Sequence, residues 1–313
     1  MKKILVFGSN GFVGPYLIRE LLDNGYSVVA CDMHETMKFH NYGKLLLKDK
    51  SVEYHSCDIL FADSVYDLIE KVKPSGIINL AAVSSVCASW NSPVLTISIN
   101  VIGALNILEA IKRIAFTDEE YNPRIMFIGS REEYEASEKP LSEDSFIRAS
   151  NPYGISKSTL ESFVNIYRQN YNMNIVYVRA FNHTGIGQRE TFALPSFCKQ
   201  VAEVEKTGNS GAIKTGNLDV YRDFSDVRDI VYGYRLIFED TSGQNVYNIG
   251  SGECYSLKEL VEYICSLSTQ KIDICYDESK GRPSDVSRIV CDISLIKSKL
   301  GWRPEYNIFK TLE

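Results

Sequence analysis

The feature that most constrains this chain is an apolar run that stops at a glycine and restarts as a helix. "KKILVFG" reads as a short strand, and "PYLIRELLDNG" follows with Leu17, Leu21 and Leu22 at helical spacing and a stop at Gly25. The rhythm repeats through "YSVVACD", "SVEYHSCD", "SGIINLAAV", "RIMFIGS" and "MNIVYVRAF", with helical patterns between most of them. Continuous apolar strands alternating with helices require a parallel sheet covered on both faces. The expected class is therefore α/β, a doubly wound parallel sheet. Two longer helices are expected, from Pro93 to about Ala115 and from Tyr153 to about Asn170. After residue 181 the segments shorten, and Gly and Asn punctuate "KTGNSGAIKTGNLD" and "GECYSLKEL". This predicts a sheet domain over 1–181 and a smaller lobe over 182–313. Segments within about 221–250 ("DFSDVRDIVYGYRLIFE", "QNVYNIGSG") are expected to return to the sheet.

The first strand-to-helix turn, "GSNGFVG", sets Gly8, Gly11 and Gly14 at three-residue intervals. In such a turn the first glycine allows the tight bend, and the second lets backbone N–H groups approach a pyrophosphate. The third lets helix and sheet pack closely, and the helix N-terminus favours negative charge. The first gap is one residue longer than in the G-x-G-x-x-G fingerprint, but strand, turn and helix stand in the required order. An acid also follows at the end of the second strand, Asp32 in "VVACDMH". A carboxylate there accepts from both hydroxyls of a ribose and repels a 2′-phosphate, which selects NAD. The plainer alternative is a strand-end turn residue. Asp58 after the third strand can accept from an adenine amino group, and Ala81 and Ala82 after the fourth leave room for a ligand. The candidate cofactor set around these positions also takes in Asn10, Phe12, Val13, Met33, Ile59, Leu80 and Asn100.

Composition narrows the partners. The 313 residues carry a net charge of −6 with both signs interspersed, which suggests neither a nucleic-acid nor a membrane surface. No apolar run is expected to span a bilayer, and Gly8 and Asn10 interrupt the first apolar run too early for a signal peptide. None of the eight cysteines forms a C-x-x-C pair, and the four histidines show no metal-ligand spacing. They read as small thiols of a reducing compartment, so a cytoplasmic protein is expected.

"NPYGISKS" puts Tyr153 and Lys157 four residues apart on one helical face. The pair can be a Tyr packed on a Lys stem. It can also be chemical, because a fixed cation favours the phenolate and lowers a pKa normally about 10. Ser130 ends the strand in "RIMFIGS" and can supply the second hydrogen bond that a reacting oxygen needs. Ser130 with Tyr153-x-x-x-Lys157, behind the glycine turn, resembles the extended short-chain dehydrogenase/reductase superfamily. "LAAVSSVCASW", "GSREEYE", "NPYGISKS", "RAFNHTGIGQ", "GNLDVYRDFSDVRDIV", "VYNIGSG" and "RPSDV" are similar to the GDP-mannose 4,6-dehydratase and GDP-4-keto-6-deoxymannose reductase branch, and closest to the reductase.

The resemblance implies a Rossmann-type fold. It implies that Ser130 and Tyr153 bind the C4 oxygen of a sugar, while Lys157 binds the nicotinamide ribose and lowers the Tyr pKa. It also assigns a nucleotide diphosphate to Asn182, Arg222 and Arg282. Either arginine taken alone can equally be a surface residue paired with Asp223 or Asp285. Ser84, Ser85, Lys199 and Asn217 complete the candidate substrate set. Glu132 stands where the dehydratase has its acid/base Glu. The reductase-like pattern has a Glu there too, so Glu132 permits dehydration without implying it, and a solvated strand-end Glu is the alternative. The helices at 93–115 and 153–170 imply a homodimer, since the equivalent helices form a dimer interface in the family. The expected function is NAD-dependent oxidoreduction at C4 of a GDP-linked, mannose-like sugar, as 4-dehydrogenase or in the reverse 4-keto reduction. The alternatives are a 4,6-dehydratase using Glu132 and a non-enzymatic dinucleotide-binding protein.

Overall fold

A computed structural model describes residues 2–278 and 287–313. The chain divides into two units. The first comprises Met1–Glu135, Ser145–Ala180 and Val231–Tyr247, and the second Ala136–Asp144, Phe181–Ile230 and Asn248–Glu313. The returning stretch is thus narrower than the 221–250 expected. A short stretch after Glu135 also leaves the first unit, which the sequence did not signal.

The first unit is built on β1 (Lys3–Phe7), β2 (Ser27–Asp32), β3 (Glu53–Ser56), β4 (Gly76–Asn79), β5 (Arg124–Ser130), β6 (Ile175–Ala180) and β7 (Val246–Ile249). Their order across the sheet is β7-β6-β5-β4-β1-β2-β3, and the pairings from β3 through β6 are parallel. Strands β1, β4 and β6 are buried along almost their whole length, as a sheet covered on both faces demands. The chain reverses direction across the sheet between β1 and β4. That switch point is where open α/β sheets bind ligands, beyond the carboxyl ends of the strands.

The helices that serve this sheet include α1 (Gly14–Asp23), α2 (Ala62–Val72), α3 (Ala104–Thr117) and α4 (Pro152–Tyr171). Pro15 opens α1, where its missing N–H costs nothing, and Gly25 in the left-handed region follows its end. The helix expected from Pro93 is continuous to Thr117 but contains a π-helical stretch, Ser98–Gly103. At 25 residues it is long and apolar enough to cross a membrane, contrary to expectation. Half of its most apolar window is nevertheless buried in the fold, because Ala104, Ile107, Leu108 and Ile111 pack into the sheet's core. The returning segment is pinned to this unit by close packing. A Cβ on Gly76 would meet the Phe238 ring at 2.3 Å, and Arg235 pairs with Glu20 at 2.7 Å.

In the second unit, the helices Ala193–Thr207 and Leu257–Ser266 share an apolar cluster with Ile213, Val220 and Ile308. Strand Gly211–Thr215 pairs in parallel with Ile272–Tyr276. The short strand Tyr221–Arg222 lies between Tyr255–Ser256 and Arg288–Ile289.

Candidate active site

The glycine turn shows which glycines the backbone requires. Gly8 has φ +75, and a Cβ there would meet the Ala81 backbone nitrogen at 2.5 Å. A Cβ on Gly14 would meet the Ser9 carbonyl oxygen at 1.9 Å. Both are fixed by the fold. Gly11 is exposed, and a Cβ there would touch only the Gly8 oxygen, at 3.1 Å. Internal packing therefore explains the outer two glycines and leaves open space over the third, at the start of α1. A dinucleotide pyrophosphate fits that cradle.

Asp32 ends β2 with one carboxylate oxygen 3.2 Å from the Asn10 backbone N–H and the other 2.7 Å from His34 Nδ1. Asn10 staples the loop after β2, accepting from the Lys38 N–H at 2.8 Å and donating towards Thr36 and Tyr54. Met33 is exposed beside Asp32, while Phe12 packs on Tyr16 and His40. The Val13 carbonyl accepts from Leu17 in the first turn of α1. Asp58 accepts from the Leu60 N–H at 3.0 Å, which makes it a turn former as it stands. Leu80 and Ala81 follow β4: the Leu80 N–H bonds the Phe7 carbonyl and the Ala81 N–H bonds Asn79. Ala82 is half-buried next to them.

Three expected positions are engaged in holding the fold. Ile59 is buried, its side chain against Gly103 and its carbonyl bonded by Asn106. Asn100 is buried, and its amide bonds both polar groups of the Val83 backbone and the Ser156 hydroxyl. It clamps the segment after β4 to α4. Ser85 caps the helix Val86–Asn91 by accepting from the Ala88 N–H, whereas Ser84 is exposed.

The catalytic candidates meet where β5 ends and α4 begins. The Ser130 hydroxyl accepts from the Glu132 N–H at 3.2 Å and lies near enough to the Tyr153 phenol to favour its ionisation. Lys157 Nζ lies 5.9 Å from the Tyr153 ring centroid and donates to the Ile128 carbonyl at 2.7 Å. All three residues are buried. The expectation that Lys157 depresses the phenol pKa fails. Burial raises it, the nearby Ser130 hydroxyl opposes this, and the charges of Glu133 and Glu132 raise it further. The ammonium instead meets a strand carbonyl, and burial lowers its own pKa to about 8. At neutral pH this site therefore holds a protonated phenol beside a hydroxyl and an ammonium. Glu132 is neither solvated nor free: its carboxylate pairs with Arg131 at 2.5 Å and accepts from Asn151 Nδ2 at 2.9 Å.

Several residues that build this corner were not anticipated. Asn151 is the N-cap of α4, accepting from the Gly154 N–H at 2.9 Å, and its position before Pro152 is a helix-start signal in the sequence. Gly154 lets α4 approach Ser130, since a Cβ there would meet the Glu132 carbonyl oxygen at 2.2 Å. Ser89 accepts from the Tyr153 N–H at 3.2 Å, and no local pattern marks it.

In the second unit, Asn182 lies on the strand Asn182–Thr184, paired with Phe224–Asp226. Lys199 pairs with Glu190 at 2.5 Å, and exposed Asn217 accepts from the Asp219 N–H within its own turn. Arg222 is buried, with Nη1 donating to the Tyr221 carbonyl at 2.9 Å. The neighbouring Asp223 accepts instead from Ser251, Gly252 and Cys291. Arg282 and Asp285 lie outside the described residues.

A parallel sheet with a glycine turn at its switch point and a Ser–Tyr–Lys cluster at the end of β5 defines an extended short-chain dehydrogenase/reductase. The chain belongs to the GDP-mannose 4,6 dehydratase family, whose model matches residues 5–313. It is 29% identical over 314 residues to a GDP-6-deoxy-D-mannose reductase of Pseudomonas aeruginosa, covering 99% of this chain and 95% of the relative. It is 31% identical over 306 residues to a GDP-6-deoxy-D-talose 4-dehydrogenase of Aggregatibacter actinomycetemcomitans, covering 96% and 91%. The solved RMD structure from Pseudomonas aeruginosa, complexed with NADPH, superposes with a TM-score of 0.82 at 25% identity, covering 100% of this chain and 97% of that one.

Proposed function

We propose that this enzyme carries out oxidoreduction at C4 of a GDP-linked, mannose-like sugar, using NAD(H), in nucleotide-sugar biosynthesis. The observation that carries this reading is the buried Ser130–Tyr153–Lys157 cluster, in a chain two of whose relatives are named for GDP-linked 6-deoxyhexoses. Ser130 and Tyr153 present two hydroxyls to one oxygen, and Tyr153 moves the proton there. Because burial keeps the phenol protonated, the site at neutral pH is a donor pair suited to a carbonyl. This favours reduction of a 4-keto sugar, and raising the pH favours the reverse oxidation. Lys157 supplies a positive charge and N–H donors for a ribose. The nicotinamide, when bound, supplies the redox chemistry.

Gly8, Gly11 and Gly14 with the start of α1 would hold the pyrophosphate, and Asp32 the adenosine ribose. Asp32 supports NAD over NADP because no arginine follows it to meet a 2′-phosphate: Met33 and His34 do. Dehydration through Glu132 is disfavoured, since Arg131 and Asn151 each occupy one of its carboxylate oxygens. Arg222 and Asn182 are the residues we assign to the nucleotide. The assay is product mass spectrometry with a panel of GDP-sugars and GDP-4-keto sugars. A gain of two hydrogens from a 4-keto sugar, or their loss from a GDP-hexose, supports the reading. Loss of water overturns it.

Exposed apolar residues on the helical wall, Trp90, Val94, Ile102, Ile155 and Ile166, support a homodimer through these helices. A monomer mass by light scattering at micromolar concentration would exclude it. The cysteines are all unpaired, which supports a reducing, cytoplasmic setting.

A further inference from the structure

The acid at the end of β2 does not stand alone. One Asp32 oxygen accepts the Asn10 backbone N–H at 3.2 Å, and the other lies 2.7 Å from His34 Nδ1. A carboxylate accepts, so Nδ1 carries the hydrogen in this pair. The Asp32 side chain is 12% exposed and that of His34 43%, so the imidazole is the solvent-facing half. The segment that carries His34 is tied down on both sides. The Tyr54 hydroxyl on β3 donates to the His34 carbonyl at 2.5 Å. Asn10, in the glycine turn, accepts from the Lys38 N–H at 2.8 Å and donates to the Thr36 carbonyl and the Tyr54 hydroxyl. The register of β2 against β3 puts Tyr54 on the same sheet face as Asp32.

A carboxylate at this strand end takes a ribose diol and repels a 2′-phosphate, and the repulsion comes from its charge. A neutral imidazole leaves that charge in place. An imidazolium answers it and adds charged N–H donors, which is what a phosphate requires. Position allows this. A 2′-hydroxyl accepted by Asp32 lies within about 3 Å of the carboxylate, and His34 Nδ1 is 2.7 Å from the same group. A phosphate carried on that hydroxyl therefore arrives beside the imidazole.

The other titratable groups around the pair leave the choice to His34. Cys31 on β2 and Tyr54 on β3 face it, and both have raised pKa values, Cys31 through its Cys57 neighbour and burial, Tyr54 through burial. Both are uncharged below pH 8. The glycine turn contributes Asn10, which has no charge. Glu35 and Lys38 on the loop are exposed, and among the described residues the ion pair of Asp32 is with His34.

We propose that His34 is a specificity-determining residue of the dinucleotide site: protonated, it answers Asp32 and admits NADP beside NAD, and neutral, it leaves Asp32 to select NAD. Cofactor choice is then a function of pH, set by one imidazole. The inference rests on the dinucleotide site of the proposed function.

The experiment is calorimetric titration of the full chain with NAD and with NADP at pH 6 and pH 8, in wild type, His34→Gln and His34→Arg. The ratio of the NADP Kd to the NAD Kd should fall from pH 8 to pH 6 about fivefold further in wild type than in His34→Gln, the scale of a half-exposed ion pair. The variant is the reference because a phosphate monoester itself gains a proton near about pH 6. His34→Arg, a permanent cation, should keep the low ratio at pH 8. By reciprocity NADP should raise the pKa of the His34 imidazole more than NAD does. Its C2 proton signal in NMR, assigned by its loss in His34→Gln, reads this without any turnover. An equal change of the ratio in wild type and His34→Gln overturns this inference and leaves the dinucleotide site standing. Failure of both dinucleotides to bind overturns the site and the inference together.

Discussion

The two units bury carboxyl groups and use them in opposite ways. In the second, Asp223 accepts three backbone N–H groups, from Ser251, Gly252 and Cys291, and one hydroxyl, all at 2.7–3.0 Å. Asp229 likewise accepts from the Glu305 and Tyr306 backbones. These acids are staples that tie distant loops to one point. In the first unit, Glu133 takes one backbone N–H and the Tyr177 hydroxyl on a single oxygen, and its other oxygen has no hydrogen-bond partner among the described residues. Around it stand a hydroxyl, a phenol and an ammonium. Burial alone does not separate the two cases, and the partners do. An acid surrounded by fixed N–H dipoles has its charge answered once, at folding. An acid with one oxygen left unanswered among ionisable side chains is not neutralised in that way.

The largest test of this contrast is Tyr153→Phe. Removing one oxygen should slow hydride transfer about 10²–10⁴-fold while leaving fold and NAD binding intact. Lys157→Met should cost a similar factor and also weaken NAD binding, and the double variant should be little slower than either, since the two act as a unit. A Tyr153→Phe enzyme within a few-fold of wild type would make the first cluster as structural as the second.

Asp223→Ala tests the other side. It leaves three buried N–H groups unanswered, so it should lower stability by about 3 kcal/mol or more, read from the urea midpoint. An unchanged midpoint would mean that Asp223 is no staple.

A smaller effect is expected at the cofactor end. Asp32→Ser with Met33→Arg should weaken NAD and favour NADP by about ten- to a hundredfold, equivalent to roughly 1.5–3 kcal/mol for one charged hydrogen-bonding group. Titration of wild type with both cofactors comes first, and a preference for NADP there would remove Asp32 from its assigned role.

The last is a pH dependence with opposite signs for stability and rate. Lys157 has a folded pKa of about 8, below the ordinary 10.5. Between those values the unfolded chain binds more protons at this site. Its contribution to stability therefore rises with pH across that window, by at most about 1.4 kcal/mol per unit. Wild type measured against Lys157→Met isolates the slope. The rate should fall above pH 8 in the same window, as the ammonium is lost. Stability and rate moving together would refute the assignment.

Local sequence reached the sheet because its signals are local. Strands such as "KILVF" and "IVYVRA" carry their burial in their composition, and Gly8 and Gly14 mark a turn whose backbone tolerates nothing larger. The sequence also singled out Ser130, Tyr153 and Lys157 as residue types, but not their protonation. Helical spacing placed an ammonium near a phenol and suggested a lowered pKa. Packing buried both, sent the ammonium to the Ile128 carbonyl and left the phenol protonated. Asn100, Ile59 and Ser85 lie where ligand contacts were expected, yet their polar or apolar groups are taken by neighbours far along the chain or by a helix end. Ser89 and Glu133 gave no signal of the roles that long-range contacts gave them. Propensity, periodicity and turn chemistry are properties of a few consecutive residues, so the chain alone determines elements, order and the reactive residue types. The charge a group carries depends on the solvent it loses and the partners it gains, and those are decided only when strands 50 or more residues apart, such as β1 and β4, close side by side.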